Sequence, residues 1–244
     1  MINILFPMGG KSVFFEGYHF PKPLIEILGK SMIQTVVENF NAIEEEKRFI
    51  FVVNGSDCTK FHLDSVLNII TNGKAVIIKL SGETKGAACS LLMAIEHINN
   101  DDPLVIANSD QLIESGLKES VSYFRDSDAD AGVICIETVH PRWSYARLND
   151  EGKVIETAEK RPLSKYAIAG FYYFKHGKDF VQAAMGSIMK DNNVGGSYYI
   201  APTLNELVLK NKNIQVFKID NENFHTFYTP QKIKEYEQKK ARVN

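Results

Sequence analysis

Three segments of the chain combine small, basic or acidic residues in patterns that suit a phosphorylated ligand. The first is Met8-Gly9-Gly10-Lys11-Ser12, which follows an apolar run over residues 2–7. Glycines let a backbone approach a phosphate closely, and the N–H groups of such a loop can bind an anion. The G-x-x-x-x-G-K-[ST] spacing of a P-loop is absent. The segment therefore indicates either a phosphate-binding loop or a plain turn after a strand.

The second segment holds a lysine between two prolines, Pro21-Lys22-Pro23. Each proline fixes its own φ, and Pro23 also pushes Lys22 towards extended backbone. A lysine on such a stiffened segment has a defined direction, which suits contact with an anion. Taken alone, the pattern favours a surface lysine in a proline-rich loop.

The third segment, Asn108-Ser109-Asp110, directly follows a predicted buried strand. In open parallel sheets, ligands bind beyond the carboxyl ends of the strands. A carboxylate there could hold Mg²⁺ against phosphates. Asp110 is therefore a candidate metal ligand, and a helix N-cap is the alternative, because aspartate caps helices well.

The elements that must position these segments alternate between strand and helix through the first half of the chain. The predicted strands are residues 2–7, 48–54, 75–80, 103–108 and 131–136, and the predicted helices are residues 30–41, 61–71, 86–99 and 117–125. This alternation predicts an α/β fold with a parallel sheet covered on both faces.

The second half of the chain has a different pattern. Short strands are predicted at residues 144–148, 154–158 and 169–174, followed by helices at 178–190 and 199–211, a strand at 214–219 and a charged helix after Pro230. The short strands predict a hairpin and added antiparallel strands. No repeat or linker divides the chain, so we expect one continuous domain.

Composition excludes several functional classes. Apolar residues make up 44% and charged residues 24%, as in ordinary globular proteins. The net charge of −2 argues against a broad nucleic-acid surface, and no apolar run is long enough for a membrane span or signal peptide. Three widely spaced cysteines, Cys58, Cys89 and Cys135, argue against disulfides and a cysteine zinc site. We therefore expect a cytoplasmic protein.

Further short motifs follow one another along the chain in a characteristic order. They are Gly17-Tyr18-His19-Phe20-Pro21-Lys22-Pro23-Leu24-Ile25, Gly29-Lys30-Ser31-Met32, Thr84-Lys85-Gly86-Ala87-Ala88, Asn108-Ser109-Asp110-Gln111, Trp143-Ser144-Tyr145, Glu159-Lys160, Gly170-Phe171-Tyr172, Tyr198-Tyr199-Ile200-Ala201-Pro202, Asn205-Glu206, and His225 with Thr229-Pro230. Together they resemble the sugar-nucleotide pyrophosphorylase family of nucleotidyltransferases, and within it a branch that serves capsule and surface polysaccharides. The matches span nearly the whole chain.

The resemblance implies a Rossmann-like α/β/α sandwich with a mainly parallel sheet and a small inserted antiparallel β region. It implies a single nucleotidyltransferase domain over residues 1–244. The implied reaction moves a nucleotidyl group from an NTP to a phosphorylated small molecule, a sugar 1-phosphate or a non-sugar phosphate, and releases pyrophosphate. CTP is slightly favoured as donor, because related capsule enzymes with non-sugar acceptors use it. No nucleic-acid or membrane partner is expected, and a homo-oligomer is left open.

The resemblance also assigns roles to individual residues. The implied catalytic residues are Lys22, Asp110 and Lys160. The implied nucleotide-binding residues are Met8, Gly9, Gly10, Lys11, Lys22, Gly86, Ala87, Asn108 and Ser109. The implied substrate-binding residues are Trp143, Tyr145, Glu159, Lys160, Gly170 and Tyr199. The implied cofactor is Mg²⁺, held by Asp110 with His225 as a second ligand.

The glycine-rich loop departs from the family pattern G-x-G-(S/T)-R. It is shorter here and continues as Ser12-Val13-Phe14-Phe15, without the arginine, for which Lys11 could substitute as a point charge. A non-catalytic nucleotide-binding protein is therefore one alternative. A second is a glycosyltransferase of the related GT-A-like fold, whose D-x-D motif corresponds to Asn108-Ser109-Asp110, with one acid in place of two.

Overall fold

The computed structural model describes residues 1–10 and 12–242, and within them thirteen strands and nine α-helices. The strands are β1 (Ile2–Met8), β2 (Glu26–Ile27), β3 (Lys30–Ser31), β4 (Lys47–Asn54), β5 (Ala75–Leu80), β6 (Leu104–Ala107), β7 (Gln111–Ile113), β8 (Ala131–Glu137), β9 (Ser144–Leu148), β10 (Val154–Glu159), β11 (Tyr166–Phe174), β12 (Ile214–Lys218) and β13 (Phe224–Thr226). The helices are α1 (Met32–Asn39), α2 (Gly55–Phe61), α3 (Leu63–Ile70), α4 (Ala87–Leu92), α5 (Ile95–Ile98), α6 (Leu117–Asp126), α7 (Gly177–Met189), α8 (Leu204–Val208) and α9 (Pro230–Ala241).

Nine of the strands form one central sheet. Its main path runs β10-β9-β11-β6-β1-β4-β5, and β8 and β12 join it through β11. Strands β1, β4, β5 and β6 are parallel to one another, whereas β11 is antiparallel to β6, β8 and β9. The parallel half puts the carboxyl ends of β1 and β6 at the same edge, where open α/β sheets bind their ligands.

Both faces of the central sheet are buried, because apolar residues fill consecutive positions in its strands. In β1, Ile4 and Phe6 belong to a core under α1, α3 and α6, while Leu5 belongs to a second core under α4, α5, α7 and α8. Phe6 is 0% exposed, so truncating it to alanine would cost about 3–5 kcal/mol of stability. Two cores on either side of one sheet confirm the predicted α/β/α sandwich.

The predicted antiparallel region is part of the central sheet. Strands β9 and β10 form a hairpin that continues the sheet beyond β11. The register of β11 against β8 shifts between Ile168 and Tyr172, and this irregularity lets one long strand pair with three neighbours.

Three predicted helices differ from the structure. The helix predicted over residues 61–71 is preceded by α2, which is capped by Asn54 and separated from α3 by His62 at φ +54°. The helix predicted over residues 86–99 divides into α4 and α5. The helix predicted over residues 199–211 is reduced to α8, after a 3₁₀ turn that contains Pro202. In each case a local break in the helical backbone is invisible to apolar periodicity.

No described helix is long and apolar enough to cross a membrane. The three cysteines have free thiols, and Cys58 and Cys135 are buried.

Candidate active site

Lys22 and Asp110 meet at the edge of the sheet although they are 88 residues apart. The Lys22 ammonium donates a hydrogen bond to Oδ2 of Asp110, in a salt bridge whose two side chains are only 19% and 17% exposed. Pro21 precedes the 3₁₀ turn of Lys22, and this turn is closed by a hydrogen bond from the Leu24 N–H to the Pro21 carbonyl at 2.9 Å. Two of the three implied catalytic residues are therefore in direct contact.

Asp110 is not a helix cap. It lies between β6 and β7, and the next helix, α6, begins at Leu117 after Gly116. Its carbonyl accepts a hydrogen bond from the Phe227 N–H at 2.7 Å, beside the antiparallel pair of β7 and β13. Because Asp110 is held by this backbone contact, its side chain is left to face Lys22.

Lys160, the third implied catalytic residue, lies against Tyr199. Its Nζ donates to the Tyr199 hydroxyl at 2.9 Å and stands 4.9 Å from the centre of that ring. The hydrogen bond to Tyr199 raises the pKa of Lys160 above its ordinary value, against a smaller effect of desolvation. Lys160 therefore carries its positive charge at the physiological range of pH, ready for an anion.

The predicted substrate-binding residues near Glu159 differ in their exposure to solvent. Ser144 Oγ donates a hydrogen bond to Glu159, and burial raises the pKa of that carboxyl. Trp143 is half-buried beside Phe224, at 5.6 Å between ring centres. Tyr145, however, is 0% exposed, and its hydroxyl donates to the His140 carbonyl at 2.6 Å. The prediction that Tyr145 binds substrate gains no support, because this side chain is packed inside the protein.

Gly170 makes room for two polar side chains next to Asp110. Its φ is +63°, and a Cβ at this position would stand 1.8 Å from Gln111 Oε1 and 2.5 Å from Asn108 Nδ2. The Gly170 carbonyl also accepts a hydrogen bond from the Asn108 N–H at 2.9 Å. Gln111 Oε1 is buried and without a hydrogen-bond partner among the described residues. The structure thus brings Gly170 to the predicted site, at a place where a Cβ would force the ends of the Gln111 and Asn108 side chains to move.

The glycine-rich segment follows β1 at the same edge of the sheet. A Cβ on Gly9 would stand 2.3 Å from Leu80 Cδ1, whereas Gly10 has nothing within 4 Å. Met8 is 6% exposed and belongs to the core, so only its backbone can face a ligand. The predicted nucleotide-binding residue Lys11 lies outside the described residues.

Gly86 and Ala87 begin α4 where a second loop closes over them. Gly86 has φ +104°, and a Cβ there would stand 2.5 Å from the Tyr198 carbonyl oxygen. That carbonyl accepts from the Ala88 N–H at 3.0 Å, and the Tyr198 N–H donates to the Lys85 carbonyl at 2.8 Å. The backbone on both sides of Gly86 is therefore held by the segment that continues into Tyr199.

The second predicted metal ligand, His225, is engaged with other partners. Its Nε2 lies 3.2 Å from Glu114 Oε1, and its ring packs 4.9 Å from that of Tyr236 in α9. Thr226 follows it and pairs with Gln111, the neighbour of Asp110. The described residues contain no group of three or more histidine, cysteine, aspartate or glutamate side chains arranged for a metal ion. The geometry therefore gives the metal role of His225 no support.

Mg²⁺ nevertheless fits the donor chemistry at Asp110. Mg²⁺ is commonly held by one or two carboxylates together with substrate phosphates and water. Asp110 offers such a carboxylate, partly exposed at the sheet edge.

Sequence reasoning missed two aromatic residues that surround Lys22. The Lys22 Nζ lies 5.7 Å from the centre of the Phe15 ring and 5.6 Å from that of Tyr228. Phe14 packs on Tyr228 with 4.7 Å between ring centres. No spacing rule connects Tyr228 with Lys22, and nothing in the sequence turns the Phe15 ring towards Lys22, so only the fold reveals these contacts.

One family model and several curated proteins match this chain. The model of the family described as "Nucleotidyl transferase" matches residues 17–213. The bifunctional protein GlmU of Methanocaldococcus jannaschii is 27% identical over 157 residues, covering 63% of this chain and 35% of that protein. GlmU of Clostridioides difficile is 23% identical over 208 residues, covering 81% of this chain and 42% of that protein. The chain thus spans less than half the length of these curated relatives.

Solved structures share the fold. A nucleoside-diphosphate-sugar pyrophosphorylase from Vibrio cholerae RC9 superposes with a TM-score of 0.85 at 24% identity, covering 96% of this chain and 99% of that one. A UDP-glucose pyrophosphorylase complexed with UDP-glucose superposes with a TM-score of 0.80 at 19% identity, covering both chains completely (100% each).

Proposed function

Because the chain belongs to the nucleotidyl transferase family, we propose that it transfers a nucleotidyl group from an NTP to a phosphorylated small molecule. A phosphate oxygen of the acceptor attacks the α-phosphorus of the NTP. The bond between the α-phosphorus and the bridging oxygen breaks, and pyrophosphate leaves. A phosphate monoester is already a nucleophile at neutral pH, so the enzyme has to align the reactants and stabilise charge.

The contact between Lys22 and Asp110 is the observation that carries this proposal. An ammonium and a carboxylate stand together, less than a fifth exposed, at the carboxyl ends of the parallel strands. In the proposed reaction Lys22 contacts the NTP phosphates. Asp110 would hold Mg²⁺, which would supply further positive charge to neutralise those phosphates. Gly9 and Gly10 offer backbone N–H groups to the same phosphates.

Lys160 is the proposed contact for the acceptor phosphate. Its ammonium is held by the Tyr199 hydroxyl and ring, so its direction is fixed before the ligand arrives. Glu159, Gly170 and Trp143 are the proposed surroundings of the rest of the acceptor. Gly86 and Ala87 are proposed to contact the nucleoside.

We further propose a donor and a setting for the reaction. CTP is the proposed NTP, the acceptor is a sugar 1-phosphate or a non-sugar phosphate, and the product is an activated precursor of a surface polysaccharide. This part rests on the resemblance of the ordered motifs in the sequence. A cytoplasmic location for a single nucleotidyltransferase domain belongs to the same proposal.

One observation favours a second candidate, a protein that binds a nucleotide without turning it over. The loop after Gly10 presents Val13 and Phe14, which are 73% and 48% exposed, and no arginine follows Ser12. With Lys11 in place of that arginine, the loop offers the triphosphate a point charge without the forked donors of a guanidinium.

A substrate panel separates the two candidates. The purified protein is incubated with each NTP, Mg²⁺, inorganic pyrophosphatase and a set of phosphorylated metabolites, and phosphate release is followed. The proposal predicts release with one NTP and one class of acceptor, CTP being the expected donor. Calorimetric binding of an NTP without release under any combination would establish the second candidate instead.

A further inference from the structure

A pocket lies between the segment that follows β8, the strand β13 and the helix α9. Its volume is about 440 Å³, within the range of roughly 300–1,000 Å³ that small-molecule sites occupy. The buried residues in its lining are Ile136, Phe224 and Tyr236. As the structure describes it, the lining contains none of the three proposed catalytic residues, Lys22, Asp110 and Lys160.

The Arg142 side chain lines this pocket with its charge unpaired. Its guanidinium carbon lies 4.4 Å from the centre of the Trp143 ring, and among the described residues the guanidinium has no hydrogen-bond or ion-pair partner. An arginine over an aromatic ring keeps its N–H donors in the guanidinium plane, where they can bind a phosphate through two parallel hydrogen bonds. Arg142 is therefore oriented for an anion that the described residues do not supply.

The turn that carries Arg142 is closed by hydrogen bonds of its own. The His140 N–H donates to the Thr138 hydroxyl at 3.3 Å, and the Arg142 N–H donates to His140 Nδ1 at 3.3 Å. The hydroxyl of the buried Tyr145 donates to the His140 carbonyl at 2.6 Å, which ties the turn to the core. Because the turn is already ordered, less conformational entropy is lost when Arg142 binds a ligand.

The charged lining of the pocket consists of the paired Lys232 and Glu235, 2.6 Å apart, together with Arg142 and Lys239. Lys239 stands 3.9 Å from Glu114 Oε2, but that carboxylate is already paired with Lys240 at 2.5 Å. Arg142 and Lys239 therefore leave an excess of positive charge at the pocket. A phosphate monoester, which is a dianion above its second pKa near about 6, would balance this excess.

Trp143 links the pocket to the segment of Lys160. Its ring packs beside Phe224, at 5.6 Å between ring centres, and both residues line the pocket. Its carbonyl accepts a hydrogen bond from the Lys160 N–H at 3.0 Å. Trp143 is also the only tryptophan of the chain, so its fluorescence reports directly on this region.

We propose that this pocket is a second anion-binding site, which takes a small molecule that carries a phosphate monoester. Arg142 binds the phosphate through its paired N–H donors, and Lys239 adds a second positive charge. Phe224 and Tyr236 contact the uncharged body of the ligand. A nucleoside monophosphate and a sugar phosphate share this chemistry. The inference goes beyond the proposed function and does not depend on it, because the proposed catalytic residues lie outside the lining.

A fluorescence titration of Trp143 tests the proposal. The full chain is titrated with inorganic phosphate, AMP and glucose 1-phosphate at constant ionic strength, with sodium chloride as the blank. We expect a saturable change, with tighter binding of a compound that has a body than of phosphate alone. Tightest binding of AMP would identify a nucleotide as the ligand, and tightest binding of glucose 1-phosphate would identify a sugar phosphate.

Substitutions locate the binding. Arg142→Gln should weaken it at least about 10-fold, the effect of losing hydrogen bonds to a charged group. Lys239→Gln should weaken it about 2- to 5-fold, as expected for one exposed charge. Arg147→Gln is the matched control, because Arg147 pairs with Glu156 at 2.7 Å and is absent from the described lining. Lys160→Ala should keep wild-type affinity, and thermal melting verifies that every variant folds.

Three results would overturn the inference. The first is the absence of a saturable change with all three compounds. The second is a response that Lys160→Ala abolishes and Arg142→Gln keeps, because the anion would then bind at the proposed acceptor contact. The third is equal weakening by Arg142→Gln and Arg147→Gln, which would indicate general electrostatic attraction. The proposed function is judged separately by turnover on the substrate panel, so either can fail without the other.

Discussion

Replacing Asp110 by asparagine tests the salt bridge and the proposed metal contact together. Asparagine preserves the size of the side chain, and the Asp110 carbonyl still accepts the Phe227 N–H at 2.7 Å, so β7 and β13 should stay paired. What is lost is the negative charge opposite Lys22. The effect on stability and the effect on activity are expected to differ greatly in size.

The loss of stability in Asp110→Asn can be estimated from the exposed fractions of the two paired side chains. Exposed ion pairs contribute about 0–1 kcal/mol, and breaking a fully buried pair costs about 3–5 kcal/mol. The Lys22 and Asp110 side chains are 19% and 17% exposed, between these limits. We therefore expect Asp110→Asn to lower the free energy of unfolding by about 1–2 kcal/mol in urea.

The loss of activity should be much larger. Without the carboxylate, Mg²⁺ would be held mainly by substrate phosphates, so the variant should need far more Mg²⁺ and turn over slowly or not at all. Pyrophosphate release is measured over a range of Mg²⁺ concentrations. Asp64→Asn is the matched control, because Asp64 forms a comparable salt bridge with Lys79, at 2.6 Å, and has no proposed role in the site. Full activity of Asp110→Asn with an unchanged Mg²⁺ requirement would refute the reasoning.

Two further substitutions test the surroundings of this pair. Gly170→Ala should lower turnover and cost about 1–3 kcal/mol of stability, because a Cβ there would stand 1.8 Å from Gln111 Oε1. Gly73→Ala is the control: at φ +74° with open space around it, it should show the cost of backbone strain alone. Equal losses of stability for the two variants in urea melts would contradict the collision. Burial raises the pKa of Glu159, so the folded protein keeps this proton to a higher pH than the unfolded chain does. The associated stability is complete below the ordinary glutamate pKa and is lost as pH rises through the raised one. Urea melts across this pH range should therefore show that Glu159→Gln, which can still accept from Ser144, gains stability relative to wild type as pH rises, and a difference independent of pH would contradict the shift.

The strands of the sheet were predictable because their composition is strongly apolar and turn residues bound them. Strands β5 and β9 match the predicted residues 75–80 and 144–148 at both ends. The strands that were missed, β2, β3, β7 and β13, have two or three residues each, too few for any periodic signal. Two of them nevertheless lie at the site, because β7 begins directly after Asp110 and β13 ends two residues before Tyr228.

The candidate site was predictable only where a motif carried it. The proline-bracketed Lys22 and the strand-ending Asp110 could be singled out in advance, but their direct contact depends on the fold. Tyr145 and His225 lie in motif positions, yet one is packed in the core and the other is paired with Glu114. Motif order identifies segments, whereas the direction of a side chain depends on the strand register and packing around it.

Replacing Lys22 by alanine, with Lys30→Ala as the matched control, tests the central claim most directly. Lys22 is 19% exposed against Asp110, whereas Lys30 is 50% exposed in a surface pair with Glu38. Pyrophosphate release by the Lys22 variant should fall roughly 10- to 150-fold, the effect of losing one charge-assisted contact to phosphate, while the Lys30 variant keeps wild-type rates. Wild-type turnover in Lys22→Ala, or a fall in melting temperature as its only effect, would contradict the assignment of this sheet edge as the site of nucleotidyl transfer.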